Sequence, residues 1–417
     1  MISIISKFRG FACLTVLSLI TIVLALSSTT ALAKGISGGT VKVGLLTDMT
    51  GVFSSLAGKG SVVAMQMAVD DFVNNEKPDF KVETVIGDHQ NKTDIATNVA
   101  RDWYDNKGVD VITGLINSGV ALAVSEVARD KDRLELVTGS GSTPIYSEKC
   151  SPNTVLYAWT TDSFAGTQGK YLTAAGLKTW YFAGVDYVFG HSLVKDASKA
   201  VEAGGGKVLG STFWPLGSSD LSAPLIKAAA SKADVIGIAT AGAGMVEAAR
   251  LASKFGLTQK QKIAGLGATY ADVHAMGPKI AQGMMLVEGF YWDADEQSRA
   301  FAERYFKKAG KMPSMLNTAV YSAVTQYLKT VKEIGSDDVK DVLHNWHDGK
   351  KFNDLFLRNG HLRADNLMVH DVYLVEVKSP EQSKSEWDLY NIKEDVPGTE
   401  AYPPISESLC PSLKNKG

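Results

Sequence analysis

The sequence has no excess of charge of either sign and, beyond its first 33 residues, no long hydrophobic run. Its 417 residues include 43 basic and 45 acidic side chains, which gives a formal charge of −2 at pH 7. A chain with nearly equal numbers of basic and acidic residues lacks the strongly basic surface that binds nucleic acids and anionic membranes. Without a second apolar run, a single-pass receptor is also excluded. We therefore expect no nucleic-acid partner.

Motifs of the common enzyme classes are also missing. The stretch 139–142 has the wrong spacing for the G-x-S-x-G of a nucleophile elbow. The segment GAGMVE, residues 242–247, resembles a dinucleotide fingerprint but has Glu247 where the third glycine belongs. Asp341, His344 and His347 could bind a metal from one helix face, although a solvated face is the simpler interpretation. We predict no enzyme, no cofactor and no metal site.

A signal peptide is predicted over residues 1–33. Two basic residues precede an uncharged stretch, residues 10–26, and Ala31-Leu32-Ala33 forms a typical cleavage site. A membrane anchor is the alternative, because the apolar run approaches the roughly 18 residues that span a bilayer. The small residues after the run favour cleavage. We expect a soluble periplasmic protein beginning at Lys34.

Only two cysteines, Cys150 and Cys410, lie in this mature chain. An oxidising compartment favours a disulfide between them, which would tie the C-terminal tail to the first half of the chain. Two unpaired buried thiols are the alternative. Cys410 lies in a polar, proline-flanked tail that offers little core for a free thiol.

The mature chain reads as an α/β protein with two doubly wound parallel-sheet lobes. About 384 residues remain after cleavage, which suits two domains better than one. Short apolar runs alternate with helix-period stretches between residues 41 and 137, and the alternation restarts at residue 180. Three helical stretches follow between residues 299 and 346. They could complete the first lobe, so that the chain crosses between lobes more than once.

Two loops at the carboxyl ends of the first-lobe strands carry hydroxyls suited to an anion. Ligands of open parallel sheets bind beyond these strand ends. Ser118 lies at the start of a helix, whose first backbone N–H groups are unpaired. The loop Ser140-Gly141-Ser142 adds two hydroxyls, and its glycine allows a ligand to approach the backbone closely. Together they could hold a small carboxylate. The alternative is that Ser118 only caps its helix and the second loop only turns.

Six stretches of the chain resemble, in order and spacing, the leucine/isoleucine/valine-binding type of periplasmic solute-binding protein. The resemblance covers residues 41–377. The stretches are VKVGLLTDMTG, TGLINSGVALAVSEVA, LVTGSGSTP, WTTDSFAGTQGKYL, DYVFGHSLVKDA and SDLSAPLIKAAASKADVIGI. The resemblance implies two lobes joined by three crossovers, which close over a ligand and deliver it to an ABC permease in the inner membrane.

The resemblance also implies domain boundaries and hinge segments. We expect lobe 1 to comprise residues 34–158 and 292–362, and lobe 2 to comprise residues 159–291 and 363–393. The tail, residues 394–417, is expected to return to lobe 1. Hinges are expected near residues 159–162, 289–293 and 361–369, and the protein is expected to be a monomer.

The family's binding residues fall on positions in both lobes. The carboxylate of the ligand would be held by Ser118 and the loop of Ser140, Gly141 and Ser142. The second lobe would contribute Phe189 and the loop containing Ala241 and Gly242. Phe189 could equally belong to the core. Tyr187 is the weaker candidate of its loop.

One departure from the family pattern concerns the ligand. Members that bind α-amino acids hold the ammonium with an acid after a second-lobe strand, where this chain has Gly265-Leu266-Gly267. An unpaired buried ammonium costs several kcal/mol. We therefore expect an organic acid without an α-amine, unless Glu247 or Asp272 reaches the cleft. An aromatic acid could pack on four rings, which are those of Phe53, Tyr187, Phe189 and Trp292.

Other ligands and roles stay open at this point. A branched-chain amino acid or an amide is one alternative ligand. A binding protein can also present its ligand to a sensory receptor instead of a transporter, and the residues that would decide this lie on the lobe surfaces.

Overall fold

The computed structural model describes residues 35–414, so the predicted signal peptide lies outside the described residues. Its first lobe contains a sheet of five parallel strands in the order β2-β1-β3-β4-β5. These strands are β1 Thr40–Thr47, β2 Lys81–Asp88, β3 Val111–Gly114, β4 Leu134–Val137 and β5 Thr154–Leu156. The connecting helices are α1 Ser54–Glu76, α2 Thr93–Asp105 and α3 Ser118–Asp130.

The second lobe contains a seven-stranded sheet, in which the first five strands along the chain are parallel. These strands are β6 Thr179–Val185, β7 Lys207–Trp214, β8 Val235–Ala239, β9 Lys262–Gly265 and β10 Met285–Glu288. Its helices are α4 Thr167–Ala174, α5 Val188–Ala203, α6 Ser222–Ala230, α7 Ala243–Lys254, α8 Tyr270–Met276 and α9 Pro278–Ala281.

After β10 the chain returns to lobe 1. The returning elements are α10 Glu296–Ala309, α11 Met315–Ile334, α12 Val339–His347 and a small antiparallel sheet of β11 Lys351–Phe352, β12 Gly360–Leu362 and β13 Met368–Val369. Helix α11 packs along α1 and also contacts β3 of the first sheet. The chain then crosses a third time to add two antiparallel strands to the second sheet, β14 Val372–Val377 and β15 Tyr390–Val396.

The central strands of both sheets are buried on both faces. Every residue of β3, β4 and β8 is buried, which explains why β3 and β8 contain no charged residue and do not alternate. The one acid in these strands is the buried Glu135 of β4. Each sheet is therefore covered by helices on both sides, as the predicted doubly wound lobes require. Within residues 35–414 no helix combines the length and the apolar composition needed to cross a bilayer.

The last part of the chain forms a strap, residues 397–410, across both lobes. Its carboxylates pair with two lysines of lobe 2, Glu400 with Lys170 on α4 and Glu407 with Lys199 on α5. The predicted disulfide is confirmed: Cys410 is bonded to Cys150, and their Cα atoms are 5.5 Å apart. The strap therefore connects the helices of lobe 2 to the loop that follows β4 in lobe 1.

Gly190 is required at the turn from β6 into α5. A Cβ atom at this position would lie 1.9 Å from the carbonyl oxygen of Val185. We expect Gly190→Ala to lower the free energy of unfolding by about 3 kcal/mol or more, since the backbone itself must move.

Gly166 provides the matched control for this substitution. It has helical dihedral angles and open space around its Cα. Gly166→Ala should leave stability unchanged or raise it by about 0.5 kcal/mol. Urea unfolding of both variants makes the comparison, and equal midpoints would contradict the expected steric clash.

Candidate functional site

The carboxyl ends of both sheets face each other across a small space, which we call the interlobe cavity. Its volume is about 20 Å³, roughly the room for one water molecule. Loops from both lobes contribute to it. Its lining residues are Phe53, Leu56, Ile116, Gly139, Ser140, Trp159 and Leu316 from the lobe 1 side, and Tyr187, Phe189, Ala241, Gly267 and Thr269 from lobe 2.

Two hydrogen-bond donors in the cavity wall have no partner. Ser140 Oγ and Trp159 Nε1 are both fully buried and make no hydrogen bond within residues 35–414. A buried donor without a partner costs about 1–3 kcal/mol. These two donors come from successive first-lobe loops and line the same space, so an acceptor placed in the cavity could bond to both.

Aromatic rings form much of the remaining wall. The indole of Trp159 meets Phe189 edge to face, with ring centroids 5.5 Å apart, and Tyr187 lies 6.1 Å from Phe189. Burial raises the pKa of Tyr187 above its ordinary value, so its phenol stays protonated at neutral pH. None of the side chains lining the cavity carries a formal charge.

Phe53 is positioned by the loop that follows β1. The buried carboxylate of Asp48 accepts hydrogen bonds from the backbone N–H groups of Gly51 at 2.6 Å and Phe53 at 2.9 Å. This fixes the loop and directs the ring of Phe53, which is buried, to the cavity. Phe53 also touches lobe 2, because a Cβ atom at Gly242 would lie 3.3 Å from its ring.

Ser118 and Ser142 lie behind the cavity wall. Ser142 Oγ donates a hydrogen bond of 2.7 Å to Ser118 Oγ, and both side chains are buried. The helix cap is Asn117 and not Ser118, because the Asn117 side chain accepts from the backbone N–H of Val120. The interpretation of Ser118 as the cap is therefore wrong. Neither serine lines the interlobe cavity in this conformation.

Two glycines let aromatic rings pack against the backbone. A Cβ atom at Gly141 would lie 2.6 Å from the indole of Trp159, so this glycine admits the ring. At Gly267, a Cβ atom would lie 2.6 Å from the carbonyl oxygen of Thr240 and 2.8 Å from the ring of Phe189. The space that a side chain at position 267 would occupy is thus filled by the ring of Phe189.

The two acids that could have reached the ligand do not line the cavity. Asp272 is buried and accepts hydrogen bonds from the backbone N–H and the hydroxyl of Thr269, at 2.9 and 3.1 Å, as part of a helix cap. Burial raises the pKa of Asp272 to about 7, and the bonds from Thr269 and from the Gly242 backbone oppose that rise. Glu247 lies farther out, in a second space.

This second space, the outer chamber, has a volume of about 570 Å³ and borders the interlobe cavity at Phe53 and Ala241. Its wall includes apolar side chains such as Trp214 and Leu216, together with the charged Glu247 and Arg250. The small residues that follow β8, Ala241 to Gly244, line this chamber. A group too long for the inner space has room here.

Sequence reasoning missed some residues of the cavity and misplaced another. Trp159 was assigned to a hinge, and Leu56, Ile116, Thr269 and Leu316 were not singled out. The ring of Trp292 does not line the cavity and donates instead to the backbone oxygen of Trp387 at 2.9 Å. Trp159 lies three residues after β5, a strand too short to be recognised in the sequence, so no sequence signal placed this residue at the cavity.

Comparison with known proteins agrees with this architecture. The sequence profile described as periplasmic binding protein matches residues 40–384. A periplasmic binding protein from Burkholderia mallei has 41% sequence identity and a TM-score of 0.85, with 90% of this chain and 99% of that chain covered.

Two further crystal structures are similar. A branched chain amino acid ABC transporter periplasmic ligand-binding protein from Burkholderia xenovorans LB400 has 36% identity and a TM-score of 0.81, covering 89% of this chain and 99% of that one. A solute binding protein of an ABC transporter from Rhodopseudomonas palustris BisB5, in complex with 3,4-dihydroxy benzoic acid, has 20% identity and a TM-score of 0.78, covering 89% and 100%. This chain belongs to the periplasmic binding proteins of ABC transporters, in the leucine/isoleucine/valine-binding-like group.

Proposed function

We propose that this protein captures a small carboxylic acid without an α-amine, preferably an aromatic one, between its lobes and delivers it to an ABC importer. The observation that carries the proposal is the pair of unpartnered donors, Ser140 Oγ and Trp159 Nε1, in an aromatic and uncharged cavity. A carboxylate offers two acceptor oxygens to these donors. The serine pair Ser118–Ser142 would hold the loop that presents Ser140.

The same cavity disfavours an α-amino acid. Its wall holds no carboxylate for an ammonium group, and a buried ammonium without a counter-charge costs several kcal/mol. The relative from Burkholderia xenovorans is named for branched-chain amino acids, which keeps that class as the competing ligand. Solved relatives from Rhodopseudomonas palustris hold benzoate, 4-hydroxybenzoate and 3,4-dihydroxy benzoic acid, which supports the aromatic class.

A benzene ring needs more room than the interlobe cavity has in this conformation. Binding therefore requires the lobes to part and the rings of Phe53 and Phe189 to shift as the ligand enters. A substituent opposite the carboxylate would pass Ala241 and enter the outer chamber. The chamber thus sets how long a ligand the protein accepts.

Titration calorimetry with a panel of acids tests the ligand class. The panel is benzoate, 4-hydroxybenzoate, 3,4-dihydroxybenzoate, 4-hydroxycinnamate, leucine, isoleucine and valine. We expect at least one aromatic acid to bind 100-fold more tightly than leucine, because the ammonium finds no partner. Tighter binding of leucine than of every aromatic acid would overturn the proposal.

The variant Ala241→Phe tests the route to the outer chamber. The added ring should block the passage, so the affinity for 4-hydroxycinnamate should fall at least tenfold while that for benzoate changes less than threefold. Ala230, an exposed residue at the end of α6 that lines neither space, provides the matched control Ala230→Phe. An equal loss for both ligands would show that Ala241 is part of the common site and not of the passage.

A further inference from the structure

Two carboxylates meet beside the first crossing between the lobes. Asp162 begins the helical turn Asp162–Gly166 that leads into α4, and Asp196 lies on α5 of lobe 2. The hydroxyl of Thr143, in the lobe 1 loop after β4, is 2.9 Å from Asp162 Oδ2 and 2.6 Å from Asp196 Oδ2. Asp196 is buried and Asp162 is partly buried. We call this group the hinge acid pair.

The hydroxyl of Thr143 cannot satisfy both acids. It carries one hydrogen, so it can donate to one carboxylate only, and a second ionised oxygen at the same distance would be repelled. The other donors are already used, since Thr161 donates to Asp196 at 2.5 Å and Tyr146 donates to Asp162 at 2.6 Å. One proton on either acid removes this repulsion. The protonated carboxyl group donates to the oxygen of Thr143, and the hydroxyl of Thr143 then donates to the other carboxylate.

The bonds of this pair cross the boundary between the lobes. Thr143 and Tyr146 follow β4 of lobe 1, whereas Asp196 belongs to a helix packed on the sheet of lobe 2. Opening of the lobes would withdraw the two hydroxyls and admit water to the acids. The closed arrangement therefore holds the extra proton more firmly than the open one.

Other charges around the pair are compensated or distant from its centre. Lys199 is paired with Glu407 of the strap, and the charge of Lys195, the residue before Asp196, acts to lower the pKa of Asp196. The guanidinium of Arg363 lies 5.6 Å from the centre of the Tyr146 ring and is paired with Asp365. Burial raises the pKa of Asp196 to about 7, and the charge of Asp162 adds to this rise.

We propose that the hinge acid pair is a proton-linked latch: closing of the lobes takes up one proton, so ligand affinity falls as the pH rises toward neutrality. The proposal rests on the proposed function only in needing a ligand that closes the lobes. Since the pKa is higher in the closed state than in the open one, the added affinity is present at low pH and lost as the pH approaches about 7. Above that range the affinity should become constant.

The test measures dissociation constants between pH 5.5 and 8.5 by calorimetry, in buffers of different ionisation enthalpy so that proton uptake is counted. The probe is 4-hydroxybenzoate, whose carboxylate is ionised throughout this range. For the wild type we expect about tenfold weaker binding at pH 7.5 than at pH 5.5 and uptake of up to one proton. In Asp196→Asn the dependence on pH should disappear, and the matched control Asp220→Asn, an exposed acid away from the pair, should keep it.

A flat profile in the wild type, or the same slope in Asp196→Asn, would overturn the latch. If leucine proves to be the ligand, the proposal of an aromatic ligand is wrong. The pH dependence of leucine binding then tests the latch. The latch depends on closure and not on the chemistry of the ligand, and neither ionisable group of leucine titrates in this range.

Discussion

The double substitution Ser140→Ala and Trp159→Phe is expected to weaken binding of 4-hydroxybenzoate by about 100-fold or more. Both changes remove a buried donor that has no partner within the described residues. Ser140→Ala keeps the shape of the wall nearly unchanged, whereas Trp159→Phe keeps an aromatic ring but a smaller one. Each hydrogen bond to a charged group contributes about 1.5–3 kcal/mol, and about 1.4 kcal/mol corresponds to a factor of ten. Calorimetry at a fixed pH measures the loss.

Ser151 offers a matched control, because its hydroxyl is also buried without a partner in residues 35–414 but lies at the far end of β5. Ser151→Ala should leave the affinity within twofold of the wild type. A loss of less than threefold in the double variant would place the carboxylate elsewhere. The pair Ser118→Ala and Ser142→Ala then identifies the alternative, since a larger loss there would make those hydroxyls the direct contacts.

Removing the disulfide by Cys150→Ser and Cys410→Ser is expected to cause the largest loss of stability. The bond joins residues 260 positions apart, and the loop-entropy relation gives about 5 kcal/mol for a loop of that length. For a chain of this size that corresponds to a lower Tm by roughly 5 °C or more. Scanning calorimetry of the variant, and of the wild type with and without a reductant, measures the shift.

A variant that weakens the same anchor without breaking the covalent bond separates the two contributions. Ser147 Oγ accepts a hydrogen bond of 3.0 Å from the backbone N–H of Leu409, next to the bridge. Ser147→Ala should lower the Tm by no more than about 2 °C, because one hydrogen bond contributes about 1 kcal/mol. If the cysteine variant melted at the same temperature as the wild type, the disulfide would contribute nothing to the stability of the folded state.

The fold could be predicted from the sequence because burial of the central strands on both faces also produces the apolar runs, which are the strongest pattern in the sequence. Parallel strands that are buried on both faces are mostly apolar, and β3, β4 and β8 contain only one charged residue, Glu135. The three-residue strand β5 is too short to produce such a pattern and was not predicted. Its neighbour Trp159 was accordingly assigned to a hinge and not to the cavity.

The location of the candidate site was predicted from the sequence, but its detailed geometry was not. The positions of Ser140, Phe189 and Gly267 followed from the strand ends and from family resemblance, and all three line the interlobe cavity. Whether a hydroxyl points into the space or bonds to a neighbour depends on rotamers fixed by distant contacts. Ser140 and Ser142 are two residues apart with the same side chain, yet only Ser142 finds a partner in Ser118.

The strap has a practical consequence for observing closure in solution. Ser37 bonds to Asp337 at the base of lobe 1, and Cys410 is fixed to Cys150 in the same lobe. Fluorophores attached near Ser37 and Cys410 would both move with lobe 1, so the distance between them would not change when a ligand binds. An energy-transfer sensor of this protein therefore needs one dye within lobe 2, for example at the exposed Lys227 on α6.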